Sequence, residues 1–175
     1  MALLKIARMG HPVLARAAEP VPDPAAPEIA ALVGDMIETM EDAGGAGLAA
    51  PQVHVPLRLV IFHAPAHRNE GRAVPLTILI NPIIEPLDGQ RHVGYEGCLS
   101  LPGLTGAVPR FAHIRYGGFQ PSGEWLEREA HGFHARVVQH ECDHLDGVLY
   151  PMRMDSLASF GFADEVRKAL EEQTR

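Results

Sequence analysis

Two histidines four positions apart, with a glutamate beside the first, stand in His140-Glu141-Cys142-Asp143-His144. On a helix, residues i and i+4 differ by about 400° of rotation, so they lie roughly 40° apart on one face, one turn up. Two imidazoles so placed can hold one metal ion. Glu141 lies about 100° round, within reach of a water on that ion without being a ligand. The bland alternative is a pair of helix-face histidines satisfied by hydrogen bonds. A catalytic metal site commonly takes three protein ligands and keeps a fourth position open. The chain offers three routes to the third ligand. Glu165 would give a thermolysin-like arrangement. A metzincin arrangement has Gly147 in place but finds Tyr150 where its third histidine belongs. Cys98, in Glu96-Gly97-Cys98-Leu99-Ser100, offers a thiolate, although a free cysteine is more often a small buried apolar residue. Spacing leaves these open.

The elements around these residues can be read from periodicity. A helix is predicted over about 132–145, closing at Gly147, and carries the two histidines. Leu57 to Phe62 and Leu76 to Ile80 read as strands, with Pro82 and Pro86 punctuating the stretch after the second. Ala112 to Phe119 and Glu124 to Glu129 read as a hairpin around Pro121-Ser122-Gly123. The first 24 residues, rich in Pro, Ala and Gly, read as an extended arm anchored by Ile6, Val13 and Leu14. Asp23-Pro24 suggests a helix start, and Ile29, Leu32, Val33, Met36, Ile37 and Met40 give it one apolar stripe before Gly44-Gly45 ends it. From Ser159 onward, Phe160, Phe162, Val166, Ala169 and Leu170 suggest a last amphipathic helix. Helix, strands, helix, helix without repeats or linkers is an α+β order in one domain.

Bulk properties bound the function. A chain of 175 residues buries a core without staples, so a metal here is expected to be catalytic rather than structural. The net charge of −7 and the absence of a basic stripe argue against direct nucleic-acid binding. Two cysteines, Cys98 and Cys142, fit a reducing compartment. The N-terminal apolar run is too short for a signal peptide, and no stretch approaches the ~20 apolar residues of a membrane span. The expected location is cytoplasmic.

Three segments, in order, carry a family likeness: Gly45-Ala46-Gly47-Leu48-Ala49-Ala50-Pro51-Gln52, Glu96-Gly97-Cys98-Leu99-Ser100 and Gln139-His140-Glu141-Cys142-Asp143-His144-Leu145. Together they resemble the peptide deformylases, and Gly10-His11-Pro12-Val13-Leu14 resembles that family's opening. The resemblance implies a single catalytic domain over 1–175, with antiparallel or mixed sheets around a central metal-binding helix plus N- and C-terminal helices. It implies a hydrolase that removes the N-formyl group from the initiator methionine of nascent polypeptides and releases formate, at or near the ribosome. It assigns Cys98, His140 and His144 as metal ligands. Fe²⁺ is the expected ion, with Zn²⁺, Ni²⁺ or Co²⁺ as substitutes.

Within that reading, Glu141 is the general base for a water, and the Gln52 amide and the Leu99 N–H are the oxyanion donors. Ala46, Gly47 and Gly97 are expected to contact substrate, the glycines letting backbone approach it closely. Val137 and Cys142 are candidate walls of the methionine pocket. Glu96, Asp143 and Arg110 are expected around the ligands, with Arg110 paired to Glu96 or Asp143. Three positions depart from common family sequences: Ala46 replaces a branched aliphatic, His54 a frequent glycine, and Thr105 an arginine that touches peptide. Two rival readings remain: a metallopeptidase using Glu165, and a deformylase-like protein that binds peptide or metal without turnover.

Overall fold

Leu59-Val60-Ile61-Phe62 is apolar at four successive positions, so a strand made from it must be covered on both faces. The computed structural model, which describes residues 2–173, shows how. The elements run α1 (Pro27–Asp42), β1 (Gly47–Ala49), β2 (Leu59–Ala64), β3 (Val74–Pro86), β4 (Arg91–Cys98), β5 (Leu101–Phe111), β6 (His113–Phe119), β7 (Trp125–His131), α2 (Gly132–Leu145), β8 (Gly161–Phe162) and α3 (Ala163–Gln173), joined in places by short 3₁₀ turns. Five strands form one sheet in the order β1-β2-β3-β6-β7, and three form another in the order β4-β5-β8. All ladder pairs are antiparallel; among the described residues, the one parallel contact is an isolated bridge between Glu19 and Leu57.

Val60 and Phe62 face α2 in a core with Ile114, Tyr116, Val138 and Leu145. Leu59 and Ile61 face the opposite way and meet Ile29, Val33, Met36 and Met40 of α1. The N-terminal arm packs Ala7, Val13 and Leu14 against Leu101 and Val108 of β5. It also ties two loops together, for Ala7 N–H donates to the Gln52 carbonyl (2.7 Å) and Met9 N–H to that of Ser100 (2.9 Å). No described helix is long and apolar enough to cross a membrane.

Several expectations are corrected. The first helix starts at Pro27, not beside Asp23: Ala26 is its N-cap and Pro27 takes the first-turn position that tolerates a missing N–H. Asp23 instead accepts from Ala25 N–H in the turn before it. Pro82 does not end its strand. A bulge at Asn81 (φ +51°) absorbs it, and the Asn81 amide bonds both backbone groups of Val21. Phe160 and Phe162 precede the last helix rather than belong to it. The hairpin β4–β5 has no counterpart in the sequence pattern, because Gly94, Gly97, Gly103, Gly106, Pro102 and Pro109 interrupt it. The predicted bounds of α2 match.

His134, at the start of α2, accepts or donates across 2.9 Å to the Tyr116 hydroxyl. Burial, and then the positive charges of Arg128 and His131, lower its pKa to about 4. The unfolded chain therefore binds this proton first as pH falls. The stability His134 confers is complete above about pH 6.5 and is lost toward pH 4. His134→Gln is expected to flatten the urea-measured stability profile across that window by on the order of 1–3 kcal/mol relative to wild type. An unchanged slope would show that His134 is not the group responsible.

Candidate metal centre

Glu96 and Cys98 are two apart on β4, so both side chains leave the same face of the strand. That face looks onto α2. Cys98 closes β4, pairs with Leu101 and leaves Leu99 and Ser100 as a two-residue turn. His140 and His144 stand one above the other on α2, with ring centroids 5.2 Å apart and planes at 74°. Cys98 Sγ lies 3.3 Å from His144 Nε2. One donor atom from each of Cys98, His140 and His144 falls within 4.8 Å of the others, and this is the only such trio among the described residues. Glu165 is elsewhere, exposed on α3 and paired with Lys168 at 2.7 Å. Tyr150 stacks on His140 at 6.1 Å between ring centroids instead of joining the trio.

Glu96 fixes the first histidine. Its Oε2 accepts from His140 Nδ1 at 2.8 Å, leaving Nε2 to face the trio. Arg110 grips the same carboxylate with Nε and Nη2, both at 2.9 Å, and pairs through Nη1 with Asp143. Arg110 thus pairs with both acids. Asp143 is also gripped by Arg153, at 2.8 and 3.1 Å. Burial alone would raise the pKa of Glu96, but the bonds from His140 and Arg110 hold it well below the usual carboxylate range.

Glu141 points the other way, toward β1. A Cβ at Gly47 would collide with Glu141 Oε1 and lie 2.6 Å from its Cδ. The glycine is therefore required by the glutamate's carboxylate, not only by the approach of a ligand. A Cβ at Gly45 would similarly meet Leu99 Cδ1 at 2.9 Å. Glu141 Oε2 is buried without a partner among the described residues, and burial raises the carboxyl pKa to about 7. Gln52 is buried in the 3₁₀ turn Ala50–Val53. Its Oε1 accepts from Ala49 N–H (2.8 Å), which fixes the amide so that Nε2 faces Ser100 Oγ (3.1 Å) and Cys98 Sγ (3.5 Å).

A cavity of about 490 Å³ opens onto Cys98 and His140 of the trio. Ala46, Gly47, Gln52, Gly97, Leu99, Val137, His140 and Glu141 all line it. One wall is β1, an edge strand. His63 N–H bonds the Ala46 carbonyl, so by antiparallel alternation the N–H and C=O of Gly47 turn away from β2 toward the cavity. Cys142 is corrected: it lines a separate cavity behind α2, and burial pushes its thiol far above the ordinary range. Thr105 does not line the cavity; its hydroxyl bonds the Glu96 carbonyl at 2.8 Å. His54 adopts φ +66°, which explains why glycine is common there, and its ring meets His11 edge-on.

One thiolate and two imidazoles suit a divalent transition ion. The electrostatics fit as well. Burial opposes a charge on His140, yet its bonds to Cys98 and Glu96 and the field of Glu141 raise its pKa well above 6.5. Burial and the His140 charge push His144 well below that value.

Sequence reasoning missed three positioning side chains. Gln139 pairs with Phe111 like a strand neighbour, donating to its carbonyl (2.9 Å) and accepting from its N–H (3.0 Å). Ser100 holds the Gln52 amide. Arg136 binds Glu96 at 2.8 Å. The glutamine and the serine lie inside family-like motifs and the arginine one helical turn before His140, the only signals available.

Comparison with known proteins agrees with this geometry. The family model described as polypeptide deformylase matches residues 3–160. Peptide deformylase 2 of Bordetella bronchiseptica is 56% identical over 161 residues, covering 91% of this chain and 92% of that protein. Peptide deformylase 2 of Pseudomonas putida is 51% identical over 170 residues, covering 95% and 96%. Among solved structures, the class I type b peptide deformylase of Acinetobacter baumannii bound to Met-Ala-Ser superposes with a TM-score of 0.81 at 33% identity, covering 87% of this chain and 98% of that one. The Synechococcus elongatus peptide deformylase in complex with actinonin gives 0.80 at 32%, covering 98% and 86%.

The trio makes a prediction that separates the candidate third ligands. Cys98→Ala is expected to lose tight, stoichiometric metal, measured by metal analysis after gel filtration, while Glu165→Gln retains it. The reverse result would return the site to a carboxylate third ligand.

Proposed function

The chain belongs to the polypeptide deformylase family, and on that premise we propose that it carries out the family's hydrolysis with Cys98, His140 and His144 holding the metal and Glu141 moving the proton. It is a metal-dependent hydrolase that removes the N-formyl group from the methionine at the start of nascent polypeptides. The observation that carries the residue assignment is the close approach of the Cys98, His140 and His144 donor atoms beside a cavity that Cys98, His140 and Glu141 line.

When bound there, a divalent ion acidifies water and polarises a carbonyl. The chain's own groups do the rest. Glu141, buried and ready to exchange a proton near neutrality, takes one from the attacking water and delivers it to the departing amine. The Gln52 Nε2 group and the Leu99 N–H donate to the oxygen that gains charge, and the bond from Ala49 keeps the amide from turning over. The outward N–H and C=O of Gly47 take the backbone of an extended peptide as an added strand, with Ala46 and Gly97 beside it. Val137 and Phe133 line the cavity and offer apolar walls to the methionine side chain. That the Acinetobacter relative was solved with Met-Ala-Ser bound supports a peptide in this place.

The resident ion is Fe²⁺ in this reading, with Zn²⁺, Ni²⁺ or Co²⁺ as substitutes. The enzyme works in the cytoplasm on chains emerging from the ribosome and does not bind nucleic acid directly, and residues 1–175 act as one catalytic domain. A thiolate beside iron exposes Cys98 to oxidation. The iron form is expected to lose activity in air faster than the nickel form, and equal inactivation rates would count against iron as the sensitive partner.

Formate release from a formyl-Met peptide tests the whole assignment. Glu141→Ala should lower kcat by about 10²–10⁴-fold, and Gln52→Ala by about 10²-fold. Gly47→Ala, which drives a methyl group into the Glu141 carboxylate, should lower kcat while the metal content stays at the wild-type level, since the three ligands are untouched. No formate from the wild type with iron or nickel bound would sink the reading.

A further inference from the structure

We propose that Arg136 is a positioning residue for the metal centre, which locks the Cys98-bearing strand and the His140-bearing helix into one register. The proposal rests on the ligand assignment above. Arg136 and His140 are four apart on α2, so they share a face, and one carboxylate serves both. Glu96 Oε1 accepts from Arg136 Nη1 at 2.8 Å, while Glu96 Oε2 accepts from His140 Nδ1 at 2.8 Å.

The rest of the guanidinium is spent on backbone. Nη1 also bonds the carbonyls of Val108 (2.8 Å) and Gly94 (3.3 Å), and Nη2 that of His92 (2.7 Å). Arg136 therefore reaches both strands of the β4–β5 hairpin from the helix. The hairpin makes room for it: a Cβ at Gly94 would fall 2.9 Å from Nη2 and 3.0 Å from Cζ. Arg110 also holds Glu96, but it springs from β5 itself and binds Asp143 on α2 a turn further along. Among the described residues, Arg136 alone joins the helix to β4 carbonyls through the acid that orients His140. Its planar fork can satisfy this spread of acceptors, whereas a lysine ammonium reaches only part of it.

The test uses the full chain loaded with Co²⁺. Three properties are followed: the thiolate-to-cobalt charge-transfer band, the metal retained against EDTA, and the melting temperature. Arg136→Met is expected to weaken metal retention by about 10–100-fold and to shift the band, with Arg136→Lys intermediate. Gly94→Ala, which displaces the guanidinium without removing it, is expected to move the same two readouts in the same direction. If Arg136→Met does not fold, Arg136→Lys and Gly94→Ala decide. An unchanged band and retention within about twofold of wild type in the folded variants would overturn the proposal. A fall in melting temperature with the band unmoved would also overturn it, by showing a merely structural role. Deformylation plays no part in these readouts, so failure of the functional reading shows separately, as absent formate release by the wild type.

Discussion

A carboxylate sealed from water is costly unless its lone pairs are used, and Glu96, beside a histidine of the Cys98–His140–His144 trio, uses them on four donors. The residues that supply them answer different demands of the fold. Arg110 brings β5, Arg136 brings the first half of α2, and His140 brings the helix face that also carries His144. Take away one cation and the acid is left partly unpaired in a dry place, a loss that costs several kcal/mol. The same arrangement cannot easily be replaced by apolar packing, because His140 needs an acceptor at Nδ1 if its other nitrogen is to face an ion. The network thus links stability to function through a single side chain.

Helix α2 reflects that constraint along its length. Eleven of its fourteen residues are buried, and six of those are His, Gln, Glu or Asp. Most of this polar side chain finds partners in the flanking layers, His134 on Tyr116, Gln139 on Phe111, His140 on Glu96 and Asp143 on Arg110 and Arg153, while Glu141 Oε2 and His144 Nδ1 have none among the described residues. Lying between two sheets, it meets solvent only through the two cavities along its faces.

How much of this was legible depends on the range of the signal. The metal helix, its bounds and the pairing of its histidines follow from local period, and so does the β6–β7 hairpin with its Gly123 turn. The β4–β5 hairpin was not legible, since glycine and proline within it serve long-range packing. Gly94 is bare because Arg136 lies over it, and Gly47 because Glu141 does. Gly47 reads in sequence only as a substrate-facing position and Gly94 carries no signal, because the atoms that exclude a side chain come from about 40 residues away for Gly94 and about 90 for Gly47. The choice of Cys98 over Glu165 was likewise invisible to spacing. It depends on a strand end meeting a helix, which only the tertiary structure or a family likeness supplies.

The placement of catalytic groups follows from which parts can be held rigid with respect to each other. The proposed ligands come from two units that fold locally, a hairpin and a helix, and the proposed oxyanion donors from two turns. Three ties bring these into register. Gln139 completes the end of β5 as a backbone mimic. The Glu96 cluster clamps the middle. The N-terminal arm bonds Gln52 with one residue and Ser100 with another two positions on. Because Ser100 also holds the Gln52 amide, that turn is fixed from both its backbone and its side chain. An arm that reads in sequence as a loose extension therefore helps determine where the amide of Gln52 stands relative to Cys98, and that side chain is held in place without any long regular element at that point.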